Sequence, residues 1–308
     1  MCVAIVCLLF QSSPALQASL PSLSCPCDGV RLTQEFSHSR QFGVLPMSCE
    51  YLIENPLNSS IDILGVQVHP ITIEQLHQCM ADFIRTNDHA LVLNVNVNCL
   101  NLSHEQHWLK SFLNRADIVF CDGFGIQLAA WILGHRIPER ITYADWMWQL
   151  AEFSSNSNFS LFFLGGKPGV AEKAARNLQV KYPGLKIQCQ HGYFEKTQDT
   201  QENKIIIQQI NREKPNILVL GFGMPVQERW LMENWDSLEV NIALTGGAVF
   251  DYLSGELRRA PRWMTDHGME WMGRLIIEPS RLWKRYLIGN PLFMWRVVMQ
   301  RIGRRPES

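Results

Sequence analysis

The chain has 308 residues, 46% of them hydrophobic and 19% charged, with 28 basic against 29 acidic side chains and a formal charge of −1. That length builds one large or two modest domains around a genuine core, and the composition excludes long disorder and disulfide-stapled mini-proteins. A near-neutral chain gives no global argument for nucleic acid or for an acidic ligand, so any charge argument must be local.

Residues 1–10, MCVAIVCLLF, match the apolar region of a signal peptide in length, and Ala15 and Ala18 lie near a possible cleavage point. The positive flank of such a signal is missing, because no Lys or Arg precedes Arg31. Two readings of residues 1–46 follow: an export signal, or an extension ahead of a working start near Met47, with the second preferred. Nine cysteines are present. Cys2, Cys7, Cys25 and Cys27 crowd the amino terminus, whereas Cys49, Cys79, Cys99, Cys121 and Cys189 are scattered singly, as small core residues of a reducing compartment are. Cys25-Pro-Cys27 has no second ligand pair and is not read as a metal site.

From residue 61 onward, apolar runs alternate with amphipathic stretches. Strands are predicted at Leu91–Val97, Asp117–Cys121, Ser160–Leu164, Leu185–Gln190, Asn216–Leu220 and Val240–Leu244, with helices over 105–115, 124–134 and 170–181. Near-continuous apolar strands separated by helices predict a buried parallel sheet, hence an α/β, Rossmann-like, doubly wound domain over residues 47–257. In such sheets ligands sit beyond the carboxyl ends of the strands. The polar residues expected there are Asn94 and Asn96, Asp122-Gly-Phe-Gly125, Gly165-Gly166, Gly221-Phe-Gly-Met-Pro-Val-Gln-Glu228 and Gly246-Gly-Ala-Val-Phe-Asp251.

Known nucleotide and metal signatures are missing. Gly123-Phe-Gly125 does not complete GxGxxG, Gly165-Gly-Lys167 is not a P-loop, and there is no DxD pair. His69, His77, His104 and His107 lack metal-ligand spacing and read as surface or hydrogen-bonded histidines.

Residues 258–308 form a basic, Trp-rich helical appendage. Between Arg258 and Arg305 eleven basic residues face three acidic ones, a local balance of +8. Trp263, Trp271, Trp283 and Trp295 are interleaved with them. Trp with Arg on helices suits a lipid headgroup layer or a diphosphate ligand. A nucleic-acid groove and a solvated helix pair packed on the core are the competing interpretations. No stretch reaches the length of a membrane span, so the segment is expected to lie on a membrane surface.

The order of these motifs over roughly residues 61–287 resembles the WecG/TagA/CpsF family, glycosyltransferase family 26. The resemblance is carried by Asp122-Gly-Phe-Gly125, Arg140-Ile-Thr-Tyr-Ala-Asp145, Leu164-Gly-Gly-Lys-Pro-Gly169, Gly221–Glu228, Gly246–Asp251, Arg259-Ala-Pro261 and Glu278-Pro-Ser-Arg281 through Tyr286. It implies inverting, metal-independent transfer of a sugar from UDP to a polyprenyl-diphosphate-linked saccharide at the cytoplasmic face of the membrane, with no cofactor and no nucleic-acid partner. A homo-oligomer is compatible with it.

Carried over residue by residue, the resemblance makes Asp122 the catalytic base and Arg140 the residue that neutralises the leaving UDP. Asn94, Asn96 and Asp145 become substrate-binding, Gln227 faces the nucleotide sugar and Asp251 the uridine. Arg274, Arg281 and Arg285 reach the diphosphate from the appendage. The chain departs from the family at Asn94, where many members have threonine, and at Tyr143-Ala144-Asp145, where many have Gly-Ser-Asp. The Asn94-Val-Asn96-Val-Asn98 form resembles the exopolysaccharide branch, which favours glucose as the donor sugar over N-acetylmannosamine or its uronic acid. Rival functions are an exported, N-terminally anchored binding protein and another nucleotide-using α/β enzyme such as an oxidoreductase.

Overall fold

The central strands owe their place to residues that bury side chains on both faces. The computed structural model describes residues 59–303, all within one unit spanning residues 52–308. The expected 1–46 extension, the first five cysteines, Arg304 and Arg305 lie outside the described residues. A hairpin, β1 (Ile61–Ile63) and β2 (Val66–Val68), leads into helix α1 (Ile73–Arg85). A six-stranded sheet follows, comprising β3 (Ala90–Val95), β4 (Ile118–Cys121), β5 (Ser160–Gly165), β6 (Lys186–Gln190), β7 (Ile217–Gly221) and β8 (Ile242–Thr245). Its order is β4-β3-β8-β7-β5-β6, and every pairing is parallel.

On β3, Leu91, Leu93 and Val95 enter one core layer while Val92 enters the other; on β5, Phe162 and Leu164 oppose Leu161 and Phe163 in the same way. That double burial is why the strands read as continuous apolar runs. Helices α2 (Val97–Glu105), α3 (His107–Leu113) and α4 (Phe124–Ile132) cover the first face, joined by α7 (Gln201–Glu213) and α8 (Val226–Asn234). The second face is covered by α1, α5 (Tyr143–Ser157), α6 (Val170–Lys181) and α9 (Val249–Ser254). Edge strand β6 is the most polar, with Lys186, Gln188 and Gln190, which discourages pairing with another chain.

Two sequence expectations need correction. The strand predicted to run to Val97 stops at Val95, because Asn96 turns and caps α2 by accepting the Cys99 N–H at 3.1 Å. The helix predicted over 105–115 is shorter, His107–Leu113, and is preceded by a separate helix, Val97–Glu105, that ends at Gln106.

The basic segment is helical, as expected, but it is not a separate layer. It contains α10 (Arg262–Asp266), α11 (Glu270–Ile277), α12 (Pro279–Trp283), a π turn over Lys284–Ile288, and α13 (Gly289–Arg301). Phe293 and Val297 of α13 are fully buried in the first core layer. Arg296 donates to Asn101 Oδ1 at 2.9 Å, and Gln300 accepts the Leu64 N–H at 2.9 Å. Pro291, which has no N–H to donate, lies just after the π turn at the start of α13. No described helix is long and apolar enough to cross a membrane.

Candidate active site

Strand β4 delivers its next residue, Asp122, to the carboxyl edge of the sheet, where the Asp122 N–H donates to the Val95 carbonyl at 2.9 Å. The two glycines that follow are sterically required. Gly123 has φ of +102°, and a Cβ at Gly125 would lie 2.4 Å from Val97 Cγ2, so the start of α4 rests directly on the start of α2. The Asp-Gly-Phe-Gly spacing is thus the shape of a turn that holds a carboxylate at the strand end.

Polar side chains from the adjacent strands β3 and β8 and from Asn96, the cap of the helix after β3, lie beside that carboxylate. Asn94, buried on β3, donates from Nδ2 to Asp122 Oδ2 at 3.1 Å and accepts at Oδ1 from Thr245 Oγ1 of β8, also at 3.1 Å. Burial pushes the Asp122 carboxyl up to about 6 and the Glu270 carboxylate adds to the rise, while Asn96, Arg285 and Arg274 oppose it. A carboxylate near that value is ionised at neutral pH yet basic enough to take up a proton, the property a general base requires.

The other predicted residues are distributed around this centre. Gln227 is fully buried, and its Oε1 accepts the N–H groups of Gly223 and Gly247, each at 3.1 Å. It clasps the loops after β7 and β8 together. Its Nε2 donates to Glu228 Oε1 at 2.8 Å. Glu228 Oε2 is buried without a partner, and burial pushes that carboxyl up to about 7. Asp251, in the first turn of α9, is raised by burial, an effect resisted by Lys167 and Arg281. Asp145 is exposed and forms a two-pronged pair with Arg259 of Arg-Ala-Pro, whose Nη2 lies 2.7 Å from Asp145 Oδ2.

The basic segment folds over the site through identifiable contacts. Arg140 Nη1 donates to the Thr265 carbonyl at 3.1 Å, so its side chain holds the α10–α11 turn. Gly268, with φ of +72°, lets the same turn sit on Phe124, where a Cβ would meet Phe124 Cγ at 2.7 Å. Arg259 Nε also lies 3.8 Å from Glu270. Arg274 places its guanidinium over the Tyr252 ring, 5.7 Å from the centroid, and its buried Nε has no hydrogen-bond partner. Arg285 lies over Tyr286 at 5.5 Å. Arg281 pairs with Glu278 at 2.8 Å and is exposed.

Asp122, Asn94, Asn96, Arg274 and Arg285 therefore converge; Gln227 acts through the loops it holds, while Asp145, Arg140 and Arg281 engage partners around the rim. Sequence reasoning gave no role to Thr245, Glu228 or Glu270. Glu228 stood beside Gln227 in a quoted motif, and Thr245 ended an apolar strand where a hydroxyl is out of pattern. The histidines are hydrogen-bonded as expected where buried: His69 Nδ1 accepts the Val119 N–H at 3.0 Å, and His77 Nε2 accepts from Trp146 at 3.0 Å.

A family model described as Glycosyl transferase WecG/TagA/CpsF family matches residues 61–307. An N-acetylglucosaminyldiphosphoundecaprenol N-acetyl-beta-D-mannosaminyltransferase of Staphylococcus aureus strain NCTC 8325 is 25% identical over 249 residues, covering 80% of this chain and 94% of the relative. Proteins of that name from strains COL and MW2 match at the same identity and coverage. A match across almost every described residue, including the strand-end loops that gather around Asp122, establishes that the chain belongs to the WecG/TagA/CpsF family of glycosyl transferases.

Proposed function

We propose that the protein transfers a sugar from a UDP-sugar to a polyprenyl-diphosphate-linked saccharide with inversion at the anomeric carbon. What carries the reading is Asp122, a carboxylate at a strand end with a value near 6, set beside Arg274 and Arg285 of the basic segment. The acceptor hydroxyl oxygen bonds to the anomeric carbon as its proton passes to Asp122. The bond to UDP breaks, and its electron pair leaves with the diphosphate. Arg274 and Arg285 offset the charge that develops there, the task a divalent metal performs in other transferases. Arg140 serves this chemistry by fixing the turn that carries α11, and Gln227 by fixing the two glycine loops. Asp251, in the first turn of α9, and Lys167, on the loop after β5, supply the nucleotide end of the site.

The activity named for the relatives favours N-acetylmannosamine as the donor sugar, and the expectation of glucose rests on the Asn94–Asn98 pattern alone. The lipid acceptor calls for a membrane surface. Exposed Trp263, Ile276, Trp283, Leu287, Trp295 and Ile302, set among arginines, supply an apolar and basic face for it on the cytoplasmic side, where UDP-sugars are made.

A screen of UDP-glucose, UDP-N-acetylmannosamine and its uronic acid against short-chain polyprenyl-diphosphate sugars, with and without chelator, tests the proposal through product mass and linkage. Asp122→Asn is expected to lower transfer by at least ~10²-fold with UDP binding retained. Full activity in that variant, or loss of wild-type activity on chelation, would overturn the mechanism.

A further inference from the structure

We propose that Thr245 and Asn94 form a two-step positioning relay that orients the Asp122 carboxylate and holds it in its ionised form. The inference rests on the reading of Asp122 as the base. Its geometry is a chain of two 3.1 Å hydrogen bonds, Thr245 Oγ1 to Asn94 Oδ1 and Asn94 Nδ2 to Asp122 Oδ2, across the adjacent strand ends of β8, β3 and β4. Thr245 is 1% and Asn94 3% exposed, so water does not compete for the Thr245–Asn94 step.

Donor and acceptor rules make the chain directional. An ionised carboxylate only accepts, so the Asn94 amide must turn its NH₂ towards Asp122. Its carbonyl oxygen then faces Thr245, whose hydroxyl must donate. Oδ2 is thereby held by Asn94, and Asn96 adds a second side-chain hydrogen bond to the same carboxylate. The relay also keeps the amide from flipping, and a flipped amide would present an oxygen that favours protonated Asp122. Thr245 touches neither substrate nor the reacting atoms; it acts only through Asn94.

Other charged and titratable groups face Asp122 as well. Glu270 and Arg274 come from α11, Arg285 from the π turn, Cys121 from β4, Cys99 from α2 and Tyr143 from α5. None of these is hydrogen-bonded to Asn94, so a change at Thr245 isolates the relay from them.

The test is Thr245→Val, which keeps the shape and removes the donor. The expected result is a fall in kcat of about three- to tenfold, the range for a lost buried hydrogen bond. KM for the UDP-sugar should stay unchanged. The acid limb of the pH–rate profile should move to higher pH by up to about one unit, because the amide no longer secures the ionised form. Thr245→Ser should restore both readouts. In an Asn94→Ala background Thr245→Val should add nothing, since the two act in series.

The relay is overturned if kcat and the acid limb stay at wild-type values in Thr245→Val, if Thr245→Ser fails to rescue, or if the effect persists without Asn94. Thr245→Ala is the second variant should the valine form not fold. NMR titration of a ¹³C-labelled Asp122 carboxylate in the free protein reads the same shift without turnover. An enzyme that used no UDP-sugar would sink the functional proposal and still leave that titration to decide the relay.

Discussion

Glu228 is a carboxylic acid placed where water does not reach it, with one oxygen held by Gln227 and the other without a partner. Its folded value of about 7 lies above the ordinary 4.5, so the fold prefers the neutral form. The unfolded chain releases that proton at lower pH, and the folded protein therefore loses stability as pH climbs from about 4.5 to 7, after which the penalty is complete. Glu228→Gln, neutral throughout, is expected to gain roughly 1–3 kcal/mol at pH 8 and little at pH 4. Melting curves at the two pH values check this; an equal shift at both would contradict it. Glu228 also shows where sequence reading stopped. Asp122, Asn94 and Asn96 were legible as polar residues interrupting apolar strands, whereas a glutamate in the first turn of a helix resembles any solvated helix start until the fold buries it.

At the scale of elements, apolar periodicity located the six strands of the parallel sheet to within a residue or two, because double burial of the central strands leaves little freedom for polar residues, and it left the Ile61–Val68 hairpin unread. It failed where two signals overlapped. Val95 and Val97 extend the alternation of β3, yet the side chain of Asn96 between them caps a helix, and the hydrogen bond decides. The α10–α11 turn was invisible in sequence, since it depends on a long-range fit between Gly268 and Phe124 and on Arg140 reaching the Thr265 carbonyl. Gly268→Ala should loosen that turn, by clash with Phe124 and by roughly 1 kcal/mol of backbone strain. Limited proteolysis is expected to cut sooner within 262–270, and transfer activity to fall, while the melting temperature of the sheet domain holds. Unchanged cleavage with unchanged activity would show that the turn does not depend on the glycine.

Across the whole molecule, the basic segment combines two tasks that composition alone did not separate. One face of α13 completes the core through Phe293 and Val297, and the other exposes Trp295, Val298 and Ile302. Phe293→Ala is expected to destabilise the protein by about 3–5 kcal/mol. The double change Trp295→Ser and Ile302→Ser should leave melting near the wild-type value and weaken sedimentation with anionic vesicles. Vesicle binding that survives the double change would remove that face from membrane contact. A net charge and a tryptophan count pointed to lipid or diphosphate; they carried no information about which tryptophans turn inward.

The hydrogen bonds that reach Asp122 join residues 28 and 151 positions apart in the chain, and they form only when β8, β3 and β4 lie side by side in one alignment. A slip of a single residue on the middle strand would turn Asn94 to the opposite face and leave Asp122 unsupported. Enzymatic competence in this fold is thus a proofreading signal for strand registry. Chains that collapse with their sheet mis-set would conserve most of their helical content and their oily interior, yet stay chemically silent.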